Sequence, residues 1–190
     1  RGCVTGLIGE NGAGKTTLIR LLLDMFLPES GKIFLFGEEL KRENIETKEK
    51  IGFVINDNFF SPLYTAKKAG KFLAGIYKNW NQDFYEKYLN DFKIPTTRFL
   101  TALSSGTMQK LQIAIALSHG AELLILDEPL NFLDPVSKKE FLDLLRNFML
   151  DENHSVLISS HQTNELEKIC DEIVFISEGK KVFDSSLENI

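Results

Sequence analysis

Cysteine and tryptophan are scarce in this chain, two residues and one among 190, and no segment is biased toward a few residue types. Cys3 and Cys170 stand far apart, without the close spacing of a metal site or a disulfide scaffold, which suits reduced thiols in a cytosolic compartment. No apolar run approaches the length of a membrane-spanning helix, so membrane association is expected to come through a partner. Basic residues do not dominate either: 22 Lys and Arg face 27 Asp and Glu, for a formal net charge of -5. A mildly acidic chain without a basic stripe is poorly suited to binding nucleic acid. No internal repeat is visible. What is abundant is apolar residue, 43% of the chain including fifteen Phe, enough for one globular domain with a partly aromatic core.

The stretch Gly9-Glu10-Asn11-Gly12-Ala13-Gly14-Lys15-Thr16-Thr17 reads G-x-x-x-x-G-K-T. An apolar run, 4–8, precedes it, and an apolar-periodic segment with Leu18, Leu21, Leu22 and Met25 follows. Strand, glycine loop and helix in that order are the context of a phosphate-binding P-loop. Glycines let successive N–H groups converge on phosphates, and the following helix adds the positive end of its dipole. Lys15 supplies a point charge, and the Thr16 hydroxyl is a candidate Mg²⁺ ligand.

Patterning predicts strands at 4–8, 32–36, 51–55, 123–126 and 155–159, with a hairpin of 173–176 and 181–183 around Glu178-Gly179. Helices are expected at 15–26, 106–118, 135–150 and 162–170. Two more, 66–77 capped by Thr65 and one after Asn81 carrying Phe84, Tyr85, Tyr88, Leu89 and Phe92, read as an insertion over 56–102. Residues 38–49 read as a polar surface connection. The sequence thus reads as an α/β domain with a mostly parallel sheet, 1–55 and 103–190 forming the core and 56–102 a small helical subdomain. The strand before a P-loop usually lies inside its sheet, yet here it follows Arg1 almost at once; an N-terminal part of the domain is therefore expected to be missing.

Four apolar residues, 123–126, carry Asp127 and Glu128 to a strand end. In open parallel sheets ligands bind at that edge, and neighbouring strand residues point to opposite sides, so two carboxylates can take different tasks. Asp127 is a candidate metal ligand and Glu128 a candidate general base for an attacking water. His161, just past the strand at 155–159, reaches the same edge if that strand lies beside the Asp127 strand. His119 and His154 fall at turns and receive no role. Leu103-Ser104-Ser105-Gly106-Thr107 opens a helix whose free N–H groups can form a second anion site.

Together these pieces resemble the ATP-binding cassette (ABC) ATPase domain of membrane transporters, over nearly the whole chain. Gly9 to Thr17 stands as Walker A and Asp127-Glu128 as Walker B. The signature spans Ser104, Ser105, Gly106 and Thr107, with Gln109 to Leu117 as its helix. Asn131 to Asp134 is the D-loop and His161 the switch histidine. The short helical insertion is similar to that of ABC-2-type exporter ATPases. The resemblance implies ATP and Mg²⁺ as ligands, Glu128 and His161 as catalytic residues, and Thr16 and Asp127 as metal ligands. It also implies a transmembrane permease as partner, a peripheral position on the inner face of the cell membrane, and a second cassette. In such a pair, Ser104 to Thr107 would touch the ATP held by the other chain. A soluble cassette acting in translation or DNA maintenance is the alternative. Three departures stand out. Asn56 replaces the family's Gln at the metal-contacting position and is one methylene shorter. The signature reads Ser-Ser-Gly-Thr. No aromatic residue precedes the loop to stack on adenine.

Overall fold

The computed structural model describes residues 2–57, 60–161, 166–167 and 169–186. Its strands are β1 (Val4–Ile8), β2 (Phe34–Leu35), β3 (Glu38–Glu39), β4 (Ile51–Val54), β5 (Leu123–Asp127), β6 (Ser155–Ser160), β7 (Glu172–Ser177) and β8 (Lys180–Ser186). Its helices are α1 (Lys15–Leu22), α2 (Ile45–Glu49), α3 (Ala66–Leu73), α4 (Gln82–Asp91), α5 (Ser105–Leu117) and α6 (Pro135–Phe148). Six strands form one sheet in the order β4-β5-β6-β1-β7-β8. All neighbours pair parallel except β8, which returns antiparallel against β7. Leu7 lies opposite Ser159, and Ser159 opposite Asp127, so β1, β5 and β6 finish level with one another. The segments leaving β1, β4, β5 and β6 therefore open onto one edge of the sheet.

Alternation along the buried strands supplies two apolar faces. On β5, Leu124 and Leu126 join a large cluster with Leu111 of α5 and Phe141 and Leu145 of α6. Ile125 points the other way and packs with Leu7, Ile51 and Ile19 of α1. Helices thus cover both faces, as a parallel sheet requires. Tyr85 and Leu89 of α4 and Phe92 at its C-terminal cap belong to the larger cluster, so the segment bearing α3 and α4 is sealed onto α5. Tyr85 is buried and its hydroxyl donates to the Ala66 carbonyl at 2.8 Å, locking α4 to the start of α3.

Several boundaries differ from expectation for local reasons. Helix α1 stops at Leu22 because Asp24 takes a left-handed φ of 54° and the Met25 N–H turns back to the Arg20 carbonyl at 2.9 Å. That is a Schellman end with Asp in the glycine position. The strand expected at 32–36 is paired only over Phe34–Leu35, since Phe36 and Gly37 both have positive φ and fold it onto β3 in a two-residue hairpin. Helix α3 ends at Leu73, short of the expected 66–77, and Phe72 and Ile76 are half exposed. Helix α5 buries Gln109, Ile113 and Ala116 as well as Leu111 and Ala114, because both its sides are covered. Residues 162–165 and 168 of the helix expected over 162–170 lie outside the described residues. Both edges of β1 are paired, by β6 and β7, so this chain's own later strands flank the loop's strand.

Candidate nucleotide site

The loop between β1 and α1 is held by backbone contacts that only glycine permits. A Cβ on Gly9 would lie 2.4 Å from the Ile176 carbonyl oxygen, so β7 grips the loop where it leaves β1. Gly14 has φ 105° and packs on Gly179 in the β7–β8 turn, whose N–H donates to the Ala13 carbonyl at 2.9 Å. These contacts fix the loop's backbone at the head of α1, as an anion site built from main-chain N–H groups requires. Lys15 is buried and its ammonium curls back to donate to the Gly9 carbonyl at 2.7 Å and the Glu10 carbonyl at 3.1 Å.

The acid pair of β5 meets this loop directly. The Thr16 hydroxyl donates to Asp127 Oδ2 at 2.7 Å, and the Ser159 hydroxyl donates to Asp127 Oδ1 at 2.6 Å. Cis oxygens around an octahedral Mg²⁺ stand roughly 2.9 Å apart, given Mg–O lengths of about 2.0–2.1 Å. The Thr16–Asp127 pair fits that edge with hard oxygen donors, leaving other positions to phosphate and water. Glu128 lies one residue on, and its Oε1 is 3.5 Å from the Lys15 ammonium. His161 Nδ1 is 3.2 Å from Glu128 Oε2, and the Asn131 amide also donates to that oxygen. Glu128 itself has φ 49°, a conformation that costs an L-residue about 1–2 kcal/mol. Three bonds hold it there: its N–H donates to Ser159 Oγ at 2.9 Å, and its carbonyl accepts from Gln109 Nε2 at 3.3 Å and from the Asn131 N–H at 3.2 Å. The strained backbone turns the carboxylate toward the loop.

A pocket of about 420 Å³ opens beside these groups, lined in part by Thr16, Asn56, Asp127, Glu128, Ser105 and Gln112. Asn56 follows β4 and is exposed into this space. Ser104 caps α5, accepting from the Thr107 N–H at 3.3 Å, and its hydroxyl lies 2.8 Å from that of Thr107. Gly106 lies so close to the loop after β5 that a Cβ there would sit 2.6 Å from the Phe132 carbonyl oxygen. The D-loop is therefore packed against the first turn of α5. Asp134 caps α6 through the Val136 and Ser137 N–H groups, and the Ser137 hydroxyl leads in holding its carboxyl below the usual range.

The structure thus brings the loop Gly9 to Thr17, Asp127, Glu128, His161 and Asn56 to one edge, with Ser105 lining the same pocket. Several partners escaped the sequence reading. Ser159, Gln109 and Gln112 are ordinary polar residues on a strand and a helix, and only the fold aims them at the site. His119, assigned no role, is buried between elements. Its Nδ1 and Nε2 each lie 3.1 Å from a carbonyl oxygen, of Ile115 and Ile51, and its ring stacks on Tyr77. Burial outweighs both carbonyls and lowers its pKa from the ordinary value. Among the described residues, no helix is long and apolar enough to cross a membrane.

A parallel sheet flanked on both faces by helices, with a glycine loop feeding α1 and acids at the end of β5, defines a P-loop nucleoside-triphosphatase fold. Residues 1–131 match the family model described as ABC transporter, and the chain belongs to that family. The chain is 37% identical over 183 residues to the bacitracin transport ATP-binding protein BcrA of Bacillus licheniformis, covering 95% of this chain and 60% of that protein. It is 30% identical over 190 residues to the ABC transporter ATP-binding protein YtrB of Bacillus subtilis, covering 100% and 63%. It thus spans about three fifths of the length of these curated relatives. Among solved structures, an ATP binding subunit of an ABC transporter superposes with TM-score 0.87 at 25% identity, covering all of this chain and 80% of the other. The dimeric ATP-binding cassette MJ0796 bound to ADP and Pi superposes with TM-score 0.84 at 20% identity, covering 98% and 86%, which shows the same fold.

Proposed function

We propose that this chain binds and hydrolyses ATP as the nucleotide-binding subunit of an ABC transporter, driving a separate transmembrane permease from the inner face of the membrane. The observation that carries the reading is the junction of Thr16 with Asp127 and of Lys15 with Glu128, which ties the glycine loop to the acid pair. The names of the relatives support transport: two, from Bacillus licheniformis and Enterococcus faecalis, are called bacitracin transport ATP-binding proteins.

In this reading the amides of Gly9 to Thr17 and the Lys15 ammonium hold the phosphates. Thr16 and Asp127 hold Mg²⁺, with Asn56 near it; when bound, the ion neutralises charge on the phosphates. Glu128 takes a proton from the water that attacks the terminal phosphorus, and the bond to the ADP oxygen breaks. His161 orients Glu128 and faces the same phosphate. A second cassette, identical or not, packs head to tail, so that Ser104, Ser105, Gly106 and Thr107 of each chain touch the other's ATP. Residues 56–102 form the lever that passes the closing motion to the permease. The exporter class follows from the short insertion.

Lys15→Ala tests the binding half. Removal of the buried ammonium is expected to abolish ATP binding by calorimetry, and unchanged affinity contradicts the assignment of the loop.

A further inference from the structure

Gln112 sits on α5, two turns after Ser105, and reaches across to the chain leaving β4. Its Oε1 accepts from the Ile55 N–H at 3.1 Å, and its Nε2 donates to the Asp57 carbonyl at 3.2 Å. Both bonds go to main chain, on either side of Asn56. A primary amide offers the same donor and acceptor as a peptide group, so this side chain acts as one further rung of the sheet. It takes over where β5 leaves off: the last pairing of β4 is Val54 with Leu126, and the next residue of β5, Asp127, belongs to the loop site. With its neighbours on both sides held, Asn56 is the residue displayed, and it lines the pocket shared by Thr16, Asp127 and Glu128.

A second tether comes from the other direction. Arg20 on α1 donates to Asp57 Oδ2 at 2.9 Å, but both side chains are substantially exposed, and such pairs contribute little. The amide clamp, with one partner on each side of Asn56, is the stronger constraint. Gln112 also borders an apolar cavity of about 180 Å³ lined in part by Phe53, Phe72, Tyr77 and His119. Gln112 is thus the partition between that cavity and the phosphate-side pocket.

We infer that Gln112 is a positioning residue for ATP hydrolysis: it fixes Asn56 toward the metal and water, compensating for a side chain one methylene shorter than the family's Gln. The inference rests on the reading of this pocket as the ATP and Mg²⁺ site. Its test is a double-mutant cycle on steady-state ATPase activity, titrating ATP and Mg²⁺ separately in the full chain. Gln112→Leu is expected to lower kcat by about tenfold or more, as misplacement of a positioning group does. It is also expected to raise the half-saturating Mg²⁺ concentration while leaving the KM for ATP within about twofold and the melting temperature nearly unchanged. Gln112→Glu, which keeps the acceptor for Ile55 and loses the donor for Asp57, is expected to fall between, and it decides the matter if the Leu variant does not fold. Because Gln112 acts through Asn56, Asn56→Ala with Gln112→Leu is expected to be no slower than Asn56→Ala alone. Wild-type turnover in the Gln112 variants, wild-type turnover in Asn56→Ala, or multiplied deficits in the double variant would overturn the inference and leave the ATPase reading standing. A wild-type chain with no turnover at all would overturn both.

Discussion

At the scale of single residues, the site is a set of side chains whose neighbours leave them few alternatives. Asp127 is fixed by hydroxyls on both oxygens, and Glu128 by bonds to its N–H and its carbonyl. The places of loop, acid pair and histidine were legible because each sits where a strand must end. Ser159, Gln109 and Gln112 were not, since nothing in their spacing distinguishes them from solvated polar residues. His119 shows the same limit in reverse: a histidine at a turn reads as surface, yet here it is enclosed. Its lowered pKa has a consequence for stability. The unfolded chain takes up the proton before the folded one does, so the contribution is complete above the imidazole's ordinary value of 6.5 and drains away as pH falls below it toward the folded value. Urea denaturation at pH 7.5 and pH 5.5 is expected to show a loss that His119→Gln reduces; the same loss in both chains would remove His119 as its source.

At the scale of elements, patterning located the segments and misjudged their ends. A period of 3.6 continues through 23–26 in the apolar residues, but the backbone leaves the helix at Asp24, which no periodicity encodes. The 32–36 strand failed for a similar reason, as Phe36-Gly37 makes a hairpin turn rather than a strand end. Packing between α3 and α4 was visible in the apolar spacing, whereas the contact that sets their separation was not. A Cβ at Gly70 would meet Tyr85 Cε1 at 2.2 Å, and that ring is buried and anchored by its hydroxyl. Helix propensity alone favours Ala over Gly by about 1 kcal/mol, while overpacking costs about 1–3 kcal/mol. With the ring unable to retreat, the overpacking dominates, and Gly70→Ala is expected to lower the melting temperature by roughly 2–6 °C. A rise would mean that α4 slides away freely.

At the scale of the whole molecule, what matters is that four strand ends share one edge. Apolar runs disclosed the strands, but their order, β4-β5-β6-β1-β7-β8, depends on pairings between residues more than a hundred positions apart. The sequence could state only a condition, that the 155–159 strand lie beside the Asp127 strand; β6 pairs with β5 and meets it. Motif order supplied the rest, because a family with these segments in this succession places them at one edge. The proposed function rests on one step, in which the glycine loop before α1 holds ATP and Glu128 takes the proton of the attacking water. Glu128→Gln removes the base and keeps the size and position of the side chain. Binding and turnover of ATP in this variant, measured beside the wild type with light scattering for mass, decide whether Glu128 is that base. Retained ATP affinity, turnover reduced by about 100-fold or more, and a dimer that forms with ATP and persists are expected. Turnover at the wild-type rate would contradict that role for Glu128.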